Sequence, residues 1–247
     1  MPRTDWGWLI TPEELRSWIL YEDDAILAIN KPGLVLCHPS KHGPWSSLIG
    51  ASREYTGLER LHMPSRLDRE TSGVVVLAKN AELASRRQRA VQARRVHKLY
   101  HAILTGEMTS PVLVDQPLGR HPSSHVVVRQ AVVDGGAPAI TEFRPLRSAG
   151  GYTLTEVQPR TGRLHQIRAH AAWLGHPVAG DKIYGPDETL FLEFLQQGWT
   201  PRLAAALPLD HQALHASRWS FAQWVYEAPL PDDWAPLLVR AGLAPAS

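Results

Sequence analysis

Cysteine is nearly absent: Cys37 is the one thiol among 247 residues, so neither an internal disulfide framework nor a cysteine-built zinc site is available. No apolar run approaches the roughly 18 residues that a membrane-crossing helix needs. The first residues, MPRTDWGWLI, lack the basic head, hydrophobic stretch and small-residue cleavage site of a secretory leader. A glycine-rich nucleotide-binding loop is missing as well. Acid is missing locally: no Asp or Glu lies between Glu82 and Glu107, a stretch that holds Arg86, Arg87, Arg89, Arg94, Arg95 and Lys98. What remains, with 44% hydrophobic and 20% charged residues, is a globular protein expected in the cytosol.

The net charge of +2 conceals an asymmetry. Residues 1–186 carry 23 basic and 17 acidic side chains, whereas residues 187–247 carry three and seven. A polyanionic partner accounts for such a bias, and so does a solvated helix face; composition leaves both readings open.

Hydrophobic patterning predicts strands at 25–30, 73–79, 99–104 and 152–157, the second marked by three consecutive valines suited to a buried strand. Strands at 126–133 and 140–145 flank Asp134-Gly135-Gly136, a hairpin signal, and a last strand is expected at 219–225. Helices are predicted at 81–95, 164–174, 190–197 and 234–241. Hairpin signals outnumber crossover signals, so the expected class is α+β, a largely antiparallel mixed sheet with flanking helices. No repeat, low-complexity tract or linker divides the chain, and one domain over 1–247 is expected.

Three segments can carry chemistry. Ser65–Gly73, SRLDRETSG, sets Asp68 between Arg66 and Arg69 just before the valine strand. A carboxylate flanked by guanidinium groups stays ionised and can serve as nucleophile or base, while the arginines hold an anionic substrate; an ordinary loop ion pair explains the same residues. Pro159–Gly185 crowds Arg160, Arg163, Arg168, His165 and His170 around a helix start, an arrangement that suits phosphate. His165, His170 and His176 are spaced by five and six residues, which does not place metal ligands on one helical face. His211 and His215 have the right spacing but no glutamate between them, so no metal site is expected. In Lys98-Leu99-Tyr100, the tyrosine suits a satisfied core position, a base-stacking platform or a proton acceptor.

Together these segments resemble the RluA-type RNA pseudouridine synthases. That family's hallmark reads H-R-L-D-R-x-T-S-G followed by an aliphatic strand and A-K; this chain has SRLDRETSGVVVLAK. The family's K-x-Y appears as Lys98–Tyr100, its T-G-R-x-H-Q-I/L-R-x-H as Thr161–His170, and its G-H-P-I/V-x-G-D-x-x-Y-G as Gly175–Gly185. Its N-K-P is Asn30–Pro32 and its late L-H-A is Leu214–Ala216. Carried over by position, the resemblance implies that Asp68 is the catalytic aspartate, Tyr100 the active-site tyrosine and Arg168 the arginine paired to the aspartate. Arg66 matches the arginine that enters the RNA stack where the target uridine leaves. The implied activity is isomerisation of uridine to pseudouridine in ribosomal or transfer RNA, without cofactor or metal. RNA contacts are expected from Arg66, Arg69, Arg86, Arg87, Arg94, Arg95, Lys98, Arg163 and His165. A monomer without an obligate protein partner, bound to no membrane, completes the expectation.

Two departures stand out. Ser65 replaces the family's histidine, with His62 nearby. About twenty residues precede the first expected strand, a short extension over 1–20, too few for the small RNA-binding domain that many relatives carry. Two rivals remain: a non-catalytic RNA-binding protein, and a glycosidic-bond hydrolase using Asp68 and Asp181 as a carboxylate pair. If Arg168 grips Asp68 with both prongs, Arg168→Lys and Arg168→Ala are expected to lose turnover and stay folded.

Overall fold

A computed structural model describes residues 3–4, 7–38, 42–82, 85 and 95–244. In chain order its strands are β1 (Arg3–Thr4), β2 (Gly7–Trp8), β3 (Ile19–Glu22), β4 (Ile26–Lys31), β5 (Ser72–Ala78), β6 (His97–Thr105), β7 (Val112–Asp115), β8 (Leu118–Arg120), β9 (Gln130–Val132), β10 (Ile140–Ala149), β11 (Tyr152–Pro159), β12 (Leu214–Phe221) and β13 (Trp224–Glu227). Its helices are α1 (Pro12–Ser17), α2 (Leu48–Thr56), α3 (Gln166–Trp173), α4 (Thr189–Gln197), α5 (Pro201–Ala206) and α6 (Ala235–Arg240). This is the α+β, mostly antiparallel organisation that the patterning predicts. Two compact units emerge, one of residues 1–98 with 216–229 and the other of 99–215 with 230–247.

In the first unit β4 pairs antiparallel with both β3 and β5, and β12 forms a hairpin with β13. Side chains alternate across a strand, and here both faces are covered. Leu27, Ile29, Val75 and Leu77 enter one core with Leu15, Leu48 and Leu61. Ile26, Ala28, Val74 and Val76 enter another with Trp219 and Tyr226. Burial on both sides is why β5 reads as consecutive valines instead of an alternating pattern. Residues ahead of β4 contribute to this unit: α1 carries a capping box, Thr11 Oγ1 accepting from Glu14 N (3.2 Å) and Glu14 Oε2 from Thr11 N (2.9 Å), and buries Leu15.

In the second unit β11 pairs antiparallel with β6 and β10, and β10 with β7. Leu118, Val126, Ala139, Ala169, Ile183 and Tyr184 form a core under α3, and Leu190, Leu203 and Leu207 join α4 to α5.

Two expectations are corrected. The strand at 126–133 is a turn followed by the short β9, which pairs with β8 and not with β10. Val126 is buried while Val127 is 66% exposed, because Glu188 accepts from Ser124 Oγ (2.6 Å), His125 N (3.2 Å) and Arg129 Nη1, curling the segment. Those bonds, led by that from Ser124, hold the Glu188 carboxyl down to about 2. The single strand at 219–225 is a hairpin turning at Ala222-Gln223, with Ala222 in the left-handed region (φ 52°); neither residue advertises a turn. Helices α1, α2 and α5 went unanticipated. The helix expected at 81–95 is helical at residues 81, 82 and 85, residue 95 lies in no helix, and residues 83, 84 and 86–94 lie outside the described residues.

Gly73, at the start of β5, has φ 108°, and a Cβ there would stand 2.3 Å from the Ala216 carbonyl oxygen. Gly73→Ala should therefore lower the unfolding free energy by about 3 kcal/mol or more. Denaturant unfolding checks this: a midpoint near that of the wild type would refute the close approach of β5 and β12.

Candidate active site

The Asp68 turn runs from Ser65 into β5. Thr71 N donates to the Asp68 carbonyl (3.2 Å), closing the turn ahead of buried Thr71 and Ser72. Asp68 and Arg69 are half-buried and Arg66 is exposed. Beneath the turn lies a residue that the motif reading passed over. Lys31, fully buried, donates from Nζ to the carbonyls of Pro32 (2.9 Å), Val35 (2.9 Å) and Arg69 (3.1 Å). Three ammonium protons meet three acceptors, one of them next to Asp68. Burial pushes Lys31 down to about 8, against the charges of Cys37, Asp68 and Glu70, so it remains a cation at neutral pH. Its signal was in the sequence, as the middle of Asn30–Pro32.

Arg66 Nη1 contacts His38 Nε2. Burial lowers the pKa of Arg69. His62 is tied into an isolated bridge with Ala78, N to O at 3.0 Å and the reverse at 2.8 Å. Arg95 is exposed. Lys98 is half-buried and pushed by burial to about 8, unlike a solvated phosphate-binding lysine. Arg86, Arg87 and Arg94 lie outside the described residues.

In the second unit, Tyr100 is buried in β6, opposite Val157 of β11. Arg168 is buried on α3, and the two-pronged pair it forms is with Asp181: Nε to Oδ2 at 2.6 Å and Nη2 to Oδ1 at 2.8 Å. Asp181 Oδ1 also accepts from the backbone N–H groups of Ile183 (2.9 Å) and Tyr184 (3.0 Å). Burial opposes ionisation of Asp181, yet the Arg168 charge and these bonds outweigh it and hold the carboxyl below its usual range. The Arg168 guanidinium carbon sits 5.0 Å from the centre of the Tyr184 ring, a cation–π distance. Tyr184 Oη accepts from Gln130 N (2.7 Å) and meets His165 Nδ1 (3.1 Å).

His165 occupies the left-handed region (φ 52°) at the start of α3, a conformation costing roughly 1–2 kcal/mol. Arg163 is exposed, its Nε donating to the Pro138 carbonyl (3.0 Å). Gln166, the glutamine of the same motif, is buried with both ends engaged, Nε2 on Ile140 O and Thr141 Oγ1, Oε1 on Thr161 Oγ1 and Arg163 N. His170 is spent on Thr141 Oγ1 (2.8 Å) and Gln116 O (3.0 Å), and burial lowers its pKa. Among the described residues no cluster of three His, Cys, Asp or Glu could hold a metal ion.

Residues 25–173 match the model of the RNA pseudouridylate synthase family. The chain belongs to that family. It is 36% identical over 235 residues to the ribosomal large subunit pseudouridine synthase D of Nitrosomonas europaea, covering 89% of this chain and 64% of the relative. It is 35% identical over 246 residues to the protein of that name from Pseudomonas aeruginosa, covering 94% of this chain and 73% of the relative. The chain thus spans about two thirds of its curated relatives' length. Among solved structures, human RNA pseudouridylate synthase domain containing 4 superposes with a TM-score of 0.73 at 26% identity, covering 93% of this chain and 94% of that one. Human RNA pseudouridylate synthase domain containing 1 gives 0.68 at 26%, covering 89% and 85%.

Within this synthase frame the hydrolase rival loses its second carboxylate. Asp181 is 0% exposed, ionised and bonded on both oxygens, whereas an acid or base for glycoside cleavage must reach substrate. The expectation that Arg168 variants stay folded is revised as well. Removing the guanidinium strands Asp181 as a buried charge, so Arg168→Ala and Asp181→Asn should each cost about 3 kcal/mol or more, against roughly 0–1 kcal/mol for a surface pair. Denaturant midpoints of the two variants measure this; wild-type midpoints would mean that the pair is solvated.

Lys31 yields a pH test. It sheds its proton near pH 8 when folded and near 10.5 when unfolded. Between these values the unfolded chain holds the extra proton, so raising the pH favours the fold. The stability advantage of the wild type over Lys31→Met should therefore grow from pH 8 to 10.5, read from unfolding at each pH. A difference that stays flat would show an ammonium in contact with solvent.

Proposed function

We propose that this protein isomerises uridine to pseudouridine in RNA, with large-subunit ribosomal RNA as the substrate class. The observation that carries the reading is the Asp68 turn: the family's central motif forms a closed turn, with Asp68 half-buried and the next carbonyl fastened by Lys31. The names of the curated relatives favour ribosomal over transfer RNA.

In this reading the uridine leaves its stack at a cost of a few kcal/mol. Arg66 fills the gap, and basic groups between Glu82 and Glu107 hold phosphates. Asp68 adds to the nucleotide or removes a ribose proton, the bond from ribose to N1 breaks, the uracil turns, and C5 takes the place of N1. Tyr100 stacks on the base and accepts the C5 proton as aromaticity returns. Arg168 is the catalytic arginine of this reading, its orientation set by Asp181 and Tyr184. The reaction moves atoms within one nucleotide and asks for no redox partner. The two compact units act as one catalytic domain, a reading favoured by a family match that runs through the boundary at residues 98 and 99. We place the protein in the cytoplasm as a monomer; among the described residues no helix is long and apolar enough to cross a membrane.

Mapping pseudouridines in total RNA with and without the protein identifies the target. Asp68→Asn should then abolish isomerisation of that uridine and leave RNA affinity within a few-fold, since binding rests mostly on phosphate contacts. Turnover within about tenfold of wild type would remove Asp68 from its role, because losing a nucleophile or base costs orders of magnitude.

A further inference from the structure

Arg66 has a neighbour that the motifs do not mention. Its Nη1 contacts Nε2 of His38, a residue 28 positions earlier on the loop that follows β4. A guanidinium can only donate, so the facing ring nitrogen accepts and the imidazole is neutral. Burial, then the Arg66 charge, lowers the His38 pKa in agreement.

The backbone that presents His38 is fastened at three successive residues. Val35 O accepts from Lys31 Nζ (2.9 Å), Leu36 O from Leu48 N (2.7 Å), and Cys37 O from Ile49 N (3.3 Å). The first of these comes from the same ammonium that holds Arg69 O in the Asp68 turn. The two loops are thus joined at their base by one buried cation and at their tips by the histidine–arginine contact. Position 65, beside the arginine, offers only a serine.

We propose that His38 is a positioning residue for Arg66: it holds the exposed guanidinium ready for entry into the RNA stack as the uridine leaves. The proposal rests on the reading in which Arg66 enters that stack. An exposed arginine samples many rotamers, and fixing it beforehand removes that entropy from the flipping step. His38 thereby affects the rate of flipping and not the affinity for RNA, which phosphate contacts dominate.

The test uses the full chain and a stem-loop bearing the uridine mapped above, with a fluorescent purine analogue beside it to report unstacking. Wild type, His38→Ala, His38→Gln, Arg66→Ala and the double variant His38→Ala/Arg66→Ala are compared. His38→Ala should slow flipping and turnover roughly tenfold and leave the RNA dissociation constant within about twofold. His38→Gln, whose amide oxygen also accepts from the guanidinium, should recover most of the loss. The double variant should be no slower than Arg66→Ala, because the two residues act as one unit. Normal flipping in His38→Ala, alongside a slowed Arg66→Ala, overturns the proposal alone. Multiplied losses in the double variant overturn it too, since His38 would then act independently. Normal flipping in Arg66→Ala refutes instead the reading of Arg66 on which the proposal stands. Should His38→Ala fold poorly, His38→Gln decides: wild-type rates support the proposal, and slow flipping in a folded His38→Gln overturns it.

Discussion

A lysine ammonium with no solvent access must find acceptors or lose its charge, and Lys31 finds three backbone carbonyls. Because an ion is costly to bury unless its protons are met, the geometry of those carbonyls is not negotiable. Pro32, Val35 and Arg69 must stand where the ammonium needs them. The turn that carries Asp68 is therefore placed by an electrostatic constraint from below. The fold tolerates little slack there, since β4 and β5, from which the lysine and the turn extend, are covered on both faces.

The second unit repeats the device with opposite sign. Asp181 is the buried ion, and its acceptor sites are met by a guanidinium and two backbone N–H groups. In both cases a motif residue works as a support and not at the reacting atoms, which explains why motif residues outnumber those with a chemical role in the proposed reaction.

How much of this was legible in advance follows the range of the forces involved. Strands β4, β5, β6 and β11 and helices α3 and α4 were readable because local patterning agrees there with the burial each element meets, two-sided in β4 and β5 and alternating in β11. The segment 126–133 was misread because three valines outweighed, on paper, a carboxylate 59 residues beyond Arg129 that curls it into a turn. The β12–β13 hairpin was misread because Ala222-Gln223 has no turn chemistry of its own. Asp68, Tyr100 and Arg168 could be singled out from motifs, yet the pairing of Arg168 with Asp181 could not. Asp181 lies thirteen residues on, and only the folded chain reveals which carboxylate the guanidinium grips. Lys31 was visible as the middle of Asn30–Pro32, but its bond to the Arg69 carbonyl, 38 residues on, was not, and the contact of His38 with Arg66, 28 residues on, was hidden in the same way.

The close approach of Gly73 to Ala216 also bears on the order in which the chain is made. The first unit is built from residues 1–98 and 216–229, so a nascent chain emerging from the ribosome exposes one face of β4 and β5 long before its cover is synthesised. Ile26, Ala28, Val74 and Val76 wait for Trp219 and Tyr226, while more than a hundred residues of the second unit come between. An apolar sheet face left open through that interval is a surface for aggregation and for chaperone capture. Completion of the unit that holds Asp68 is thereby deferred until residues 216–229 have been made, and a chain truncated before residue 214 would carry the Asp68, Lys98–Tyr100 and Thr161–Gly185 segments yet lack the strand pair β12–β13.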